Sequence, residues 1–198
     1  MQNKEYINTY LKETAEIAGK LDKEAVTKLA FALLEIKARK GRVFFLGVGG
    51  GAGTGSHAAN DFNKIAKIST ICLADNAPLL TALANDEGWD SVFKRQLEMH
   101  DFNNNDGIFI YSVGGGSETT SKNLVLAIDY AKAKGGRVLG VVGKETGATA
   151  QKADACIIVP CLEEKRRTAH TEDFQMILDH LLVNLLSEME NSADYGKK

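Results

Sequence analysis

Residues 42–63 read RVFFLGVGGGAGTGSHAANDFN, and the rest of the chain is best read outward from this stretch. Residues 43–46 are a short apolar run, long enough for one buried strand. Six glycines follow within the nine positions 47–55. His57 and Asp61 come next, four residues apart, in a segment that reads as the start of a helix. Strand, glycine loop and helix start together bring backbone N–H groups up to an anion. The spacing of His57 and Asp61 puts an imidazole and a carboxylate on one helical face just past that loop. These residues point to a phosphorylated small molecule held beside a histidine and a carboxylate.

Upstream, residues 5–39 carry apolar side chains at helical spacing, first Tyr6, Ile7, Tyr10 and Leu11, then Val26, Leu29, Ala30, Leu33 and Leu34. Gly19 and the Leu21-Asp22 step divide them into two helices, with Asp22 as the second N-cap. Downstream, strands at 43–46, 69–73, 108–111, 137–142 and 155–159 alternate with helices at 54–67, 78–84, 91–99, 117–134, 146–152 and 168–190. Residues 85–88 and 106–107 read as turns, and the polar residues 191–198 are expected to fray. Alternating strands and helices imply βαβ units and a parallel sheet covered on both faces. In such sheets ligands sit at the carboxyl ends of the strands, near the point where the strand order reverses. The expected organisation is a helical segment over 1–40, for packing or oligomerisation, and an α/β domain over 41–198.

Composition narrows the function. The 198 residues are 44% hydrophobic and 25% charged, those of an ordinary globular chain. A net charge of −2 and a pI near 6.1 give no basic footprint, so no direct nucleic-acid partner is expected. Cys72, Cys156 and Cys161 form no C-x-x-C pair and read as reduced thiols of a cytoplasmic protein. Residues 1–10 are polar and charged, unlike a secretory leader, and no apolar run approaches the ~20 residues that span a bilayer. No membrane partner is expected.

The first glycine loop fits a dinucleotide fingerprint poorly, since Gly47-Val48-Gly49-Gly50-Gly51 ends on Ala52 and Asp75 lies later than the ribose acid should. The Gly-Lys-Ser/Thr of a P-loop is absent. Close helix–strand packing alone is a second reading of these glycines. The second loop, 112–120, reads SVGGGSETT. Its hydroxyls and N–H groups suit a phosphate, although Glu118 opposes an anion; a glycine turn capped by Ser117 is the alternative. Glu172 and His180 lie eight residues apart, nearly on one face of the last helix. With His57 and Asp61 they are the right number and type for a zinc site, or for acid–base work on a carbonyl. Spacing alone equally allows unrelated residues on two helix surfaces.

At these residues the chain resembles the sugar isomerase (SIS) domain family, and within it the phosphoheptose isomerases. That group's G-N-G-G-S loop and H-x-x-x-E pair stand here as Gly47-Val48-Gly49-Gly50-Gly51 and His57, Asp61. Its A-L-T-A-I-x-N-D resembles Leu79-Leu80-Thr81-Ala82-Leu83-Ala84-Asn85-Asp86, and V-F-x-R-Q stands as Val92-Phe93-Lys94-Arg95-Gln96. The phosphate loop S-T-S-G-N-S corresponds to residues 112–117, and the final Q-E and histidine to Glu172-Asp173 and His180. The resemblance implies a three-layer αβα sandwich on a five-stranded parallel, flavodoxin-like sheet with an N-terminal helical extension. It implies an isomerase converting sedoheptulose 7-phosphate to D-glycero-D-manno-heptose 7-phosphate through an enediol, in heptose biosynthesis. Asp61 and His180 would be catalytic. Gly49, Gly50, Gly51, Asn85, Asp86, Ser112, Gly114, Ser117 and Glu172 would bind the sugar phosphate. His57, Asp61, Glu172 and His180 would hold one zinc per subunit, in a homotetramer with sites at subunit interfaces. The family also contains non-catalytic modules that bind a phosphosugar or a protein such as a replication initiator. The chain departs from the group at Val48, Gly51, Gly114, Asn76 and His170, where substrate-facing side chains change, and at Asp61 and Glu172, which replace Glu and Gln. The metal-type residues remain, which favours a changed substrate over lost chemistry.

Overall fold

Each strand carries two sets of apolar side chains, and each set has its own layer of helices. Phe44, Leu46, Ile108, Ile110 and Val138 point to one face, where they form a core with Leu83, Phe93, Leu97, Leu124 and Ile128. Val43, Phe45, Phe109, Tyr111, Leu139 and Val141 point to the other and pack with Leu29, Leu33, Phe62, Phe174, Leu178 and Leu182. This is the period-two alternation of extended chain. The result is a three-layer αβα sandwich. The computed structural model describes residues 2–195, with side chains described over 3–190.

The elements run α1 (Gln2–Lys20), α2 (Lys23–Ala38), β1 (Arg42–Gly47), α3 (Gly50–Lys64), β2 (Ser69–Cys72), α4 (Ala77–Asp86), α5 (Val92–Met99), β3 (Gly107–Ser112), α6 (Lys122–Ala133), β4 (Arg137–Val142), α7 (Ala148–Lys152), β5 (Ala155–Ile158) and α8 (Arg167–Tyr195). All pairings are parallel, in the order β2-β1-β3-β4-β5. The order reverses between β1 and β3, so the crevice of this doubly wound sheet opens at their carboxyl ends. Both glycine loops lie there, and Gly47 pairs with Tyr111 across the two strands.

Local chemistry sets the element ends. The Asp22 carboxylate accepts from the N–H groups of Glu24 at 2.8 Å and Ala25 at 3.1 Å, so α2 starts where the N-cap reading placed it. Four boundaries differ from expectation. Helix α3 begins inside the glycine run, at Gly50 rather than 54, because Gly51 passes close enough to Tyr111 that a Cβ there would lie 2.3 Å from its carbonyl oxygen. Asn85 and Asp86 end α4 instead of forming a turn, and the chain turns only at Gly88, where φ is +88°. Ser117 does not cap α6, which begins at Lys122. The Gly115 carbonyl accepts from Thr149 and that of Gly116 from Ala148, drawing the loop toward α7 first. Ser117 closes a separate turn with Thr120. Helix α8 continues through 191–195, past the expected fraying point, while 196–198 lie outside the described residues.

Candidate active site

Helices α3 and α8 lie side by side and run in the same direction. Near their starts, a Cβ on Gly50 would meet the Glu172 carboxylate at about 2.5 Å. About two turns further along, His57 of α3 faces His180 of α8, with 3.1 Å between their Nε2 atoms. The small residues Gly51, Gly55, Ala58 and Ala59 keep α3 close to its neighbours. Gly49 precedes the helix with φ +60°, a backbone state that favours glycine. The sequence folds α3 as a slender rod that carries its two functional side chains on the flank facing α8.

Four side chains meet at that flank: His57, Asp61, Asp179 and His180, with donor atoms all within 4.8 Å of one another. His57 Nε2 is 3.2 Å from Asp61 Oδ2 and 3.8 Å from Asp179 Oδ2. His180 Nε2 is 3.8 Å from Asp61 Oδ2. The other Asp61 oxygen accepts from the Asn60 side-chain amide at 2.8 Å, which holds Oδ2 toward the histidines. The side chains grade from floor to mouth: Asp179 is 0% exposed, Asp61 14%, His57 40% and His180 53%. Burial pushes the Asp179 carboxyl up to about 7, with His57 opposing the shift and Asp61 adding to it. Behind it, the buried Tyr111 hydroxyl has no hydrogen-bond partner, and burial, then the Asp179 charge, raises its pKa.

This donor set fits a divalent transition metal. Two imidazole nitrogens and two carboxylate oxygens are zinc-type ligands. Ligands ~2.0–2.1 Å from a tetrahedral ion stand ~3.3 Å apart; four of the six separations here run from 3.1 to 3.8 Å, and all lie within 4.8 Å. Asp179 was absent from the set read in the sequence, and Glu172 stands where it was not expected. Glu172 is outside the four-residue group, because it faces the start of α3. Asp179 sits immediately before His180, and only the rotation of α8 shows that both side chains reach α3.

The other expected residues divide between the crevice and its surroundings. Gly49 and Gly50 are exposed at the crevice, whereas Gly51 is buried in strand–helix packing. Ser112, half-buried at the end of β3, accepts from the Gly115 N–H at 3.0 Å, and Gly114 and Ser117 are exposed beside it. Asn85 and Asp86 are exposed on α4 and bonded to each other at 2.7 Å. Asn76 accepts from the Leu79 N–H to cap α4 and shares a pocket of mixed lining with Asp75, Asn60 and Gln96. Burial raises the Cys72 thiol to about 11 and Cys156 to about 12, so these cysteines take no nucleophilic part near neutral pH.

Comparison with known proteins identifies the family and the fold. A family model described as SIS domain matches residues 5–143. A phosphoheptose isomerase of Leptospira biflexa is 31% identical, with 75% of each chain covered. One from Sulfurimonas denitrificans is 28% identical over 93% of this chain and 95% of its own. The solved phosphoheptose isomerase of Neisseria gonorrhoeae superposes with a TM-score of 0.81 at 22% identity, covering 92% of this chain and 98% of its own. Among the described residues no helix is long and apolar enough to cross a membrane.

Proposed function

We propose that this chain, which belongs to the SIS domain family, is a phosphosugar aldose–ketose isomerase that converts sedoheptulose 7-phosphate to D-glycero-D-manno-heptose 7-phosphate. The observation that carries this reading is the His57–Asp61–His180 cluster two helical turns from a pair of glycine loops. The loops suit the phosphate and the cluster suits the reacting carbons. From Gly50 to His57 the helix rises on the order of 10 Å, close to the extended span of a seven-carbon chain from C1 to its phosphate, on the order of 10 Å for bonds near 1.5 Å. The printed names of the relatives support the same substrate class.

The reaction moves one proton between carbons and one between oxygens. Asp61 takes the proton from C1 of the open-chain ketose, giving an enediol, and returns it to C2. His180, the most exposed of the cluster, moves the hydroxyl proton from O1 to O2. Asn60 holds Asp61 toward His57 and His180. Gly49, Gly50, Ser112, Gly114 and Ser117 orient the phosphate end through backbone N–H groups and hydroxyls. Gly51 supports the loop by packing, Glu172 bounds the crevice, and Asn85 and Asp86 are offered to the sugar from α4. His57, Asp61 and His180, with one further donor, would hold a zinc ion, which when bound would supply positive charge to polarise the carbonyl.

We infer a cytoplasmic homotetramer with sites near subunit interfaces. Tyr6, Ile7 and Leu11 of α1, and Ile177 and Leu181 of α8, are exposed apolar residues that a second copy would cover. Heptose synthesis for surface polysaccharides is the pathway this activity would serve.

The test is turnover of sedoheptulose 7-phosphate by the zinc-supplemented protein, with His180→Ala beside it. Aldose phosphate formed by the parent and lost in the variant supports the reading. Sugar phosphate bound tightly without turnover would instead identify a non-catalytic binding module, the reading that Val48, Gly51 and Gly114 favour by their missing polar side chains.

A further inference from the structure

We propose that Asp179, rather than Glu172, supplies the fourth ligand of the metal, giving this chain a two-histidine, two-aspartate centre; the proposal rests on the metal reading above. Asp179 is a fully buried carboxylate, and neither of its oxygens has a hydrogen-bond partner. An ionised group in that position is costly unless a positive charge compensates it. Among the described residues, no Lys or Arg pairs with it. Among the described residues its ion-pair neighbour is His57, 3.8 Å away, and Asp61 in the same group adds like charge. Tyr111 is near enough to feel the Asp179 charge, yet its hydroxyl makes no bond to it. Two carboxylates and two imidazoles around a divalent cation form a neutral assembly, and a cation there would answer the open Oδ2 of Asp179.

Glu172 is placed differently. It precedes His180 by eight residues, about 12 Å of helix rise, and its carboxylate stands against Gly50 at the opposite end of the α3–α8 contact. Asp179 is adjacent to His180, and its Oδ2 already lies in the group with His57 and Asp61. Asp179 therefore closes the set from the buried side, leaving the exposed side, toward His180, open to a sugar. Nitrogen and hard oxygen donors without sulfur select a first-row divalent ion such as zinc or cobalt over soft Cu(I).

The experiment compares chelator-stripped parent, Asp179→Asn and Glu172→Ala in zinc titrations against a competing chromophoric chelator, with Co²⁺ spectra and melting curves alongside. Asp179→Asn should weaken zinc by at least about tenfold, the scale at which even outer-shell partners act. It should also reduce the intense d–d band of four-coordinate cobalt. Glu172→Ala should stay within about threefold of the parent and keep the band. Metal-free Asp179→Asn should melt no lower than the metal-free parent, because it removes an unpartnered buried charge. The melting increment on adding zinc should then shrink as affinity falls. Weakening by Glu172→Ala equal to or greater than that by Asp179→Asn overturns the assignment, and so does a parent that binds neither ion. A parent that isomerises sedoheptulose 7-phosphate but fails either criterion loses this assignment and keeps its proposed activity.

Discussion

Gly51 and Asp61 show what single atoms decide here. A Cβ at Gly51 would stand 2.3 Å from the Tyr111 carbonyl oxygen, so Gly51→Ala must push α3 off the end of β3. The expected loss is about 2 kcal/mol of stability, read as a lower denaturation midpoint, together with weaker metal binding because His57 and Asp61 move with the helix. Asp61→Asn removes both the proposed base and a charged metal ligand, so kcat at saturating zinc should fall by about 10²–10⁴. An unchanged kcat would remove Asp61 from the proton-transfer role. At this scale the sequence was half legible. His57 and Asp61 stood out by their spacing and His180 by resemblance. Asp179 looked like any charged residue of an amphipathic helix, since what distinguishes it is burial without a partner. The glycines were legible in number but not in role: Gly49 needs its positive φ and Gly51 its missing side chain, while Gly53 meets nothing.

At the scale of elements, two polar clamps tie the fold together, the first at the amino ends of the crevice strands and the second between helices. Asp106, almost fully buried at the start of β3, accepts from the Arg42 backbone N–H at 2.8 Å and from its guanidinium at 2.7 Å, joining β1 to β3 where the crevice strands begin. Asp106→Ala leaves the half-buried Arg42 without its partner and should cost about 2–3 kcal/mol, seen as a lower urea midpoint. The second clamp ties α1 to the start of α8. Glu13 accepts from Arg166 Nε at 2.6 Å and contacts His170 Nε2 at 3.0 Å. Arg166 first, and His170 after it, hold the Glu13 carboxyl down at about 2, below its ordinary 4.5. A carboxyl lowered by folding stabilises fully above its unfolded value and loses that contribution as pH falls through the folded one. Glu13→Gln should therefore melt below the parent at pH 6, and the gap should close as pH drops from about 4.5 toward 2. A constant gap would assign the contact to packing alone. Most elements were legible because apolar period and turn residues agree in them, as at Asp22. The start of α6 was not, since the bonds that delay it come from Ala148 and Thr149 of α7, some thirty residues on.

The whole molecule places the two glycine loops at the strand-order reversal and the His/Asp cluster two turns down α3, where α3 meets α8. That arrangement follows from strand order, and alternating strands and helices foretold the parallel sheet. Which helices would share a layer was not readable from the chain, and so neither was the meeting of α3 with α8. The exposed Tyr6, Ile7, Leu11, Ile177 and Leu181 extend the account to assembly. In sedimentation velocity the parent should run as a tetramer and Leu181→Lys as a smaller species with reduced turnover. A monomeric parent with full activity would show that the site needs no second copy.

The most direct measurement is proton NMR of sedoheptulose 7-phosphate incubated in D₂O with the zinc-supplemented parent. The account predicts an aldose 7-phosphate signal, with deuterium entering at C2 of the product or C1 of the ketose through the enediol. A folded, metal-bearing protein that binds the sugar phosphate yet yields neither product nor exchange would contradict it.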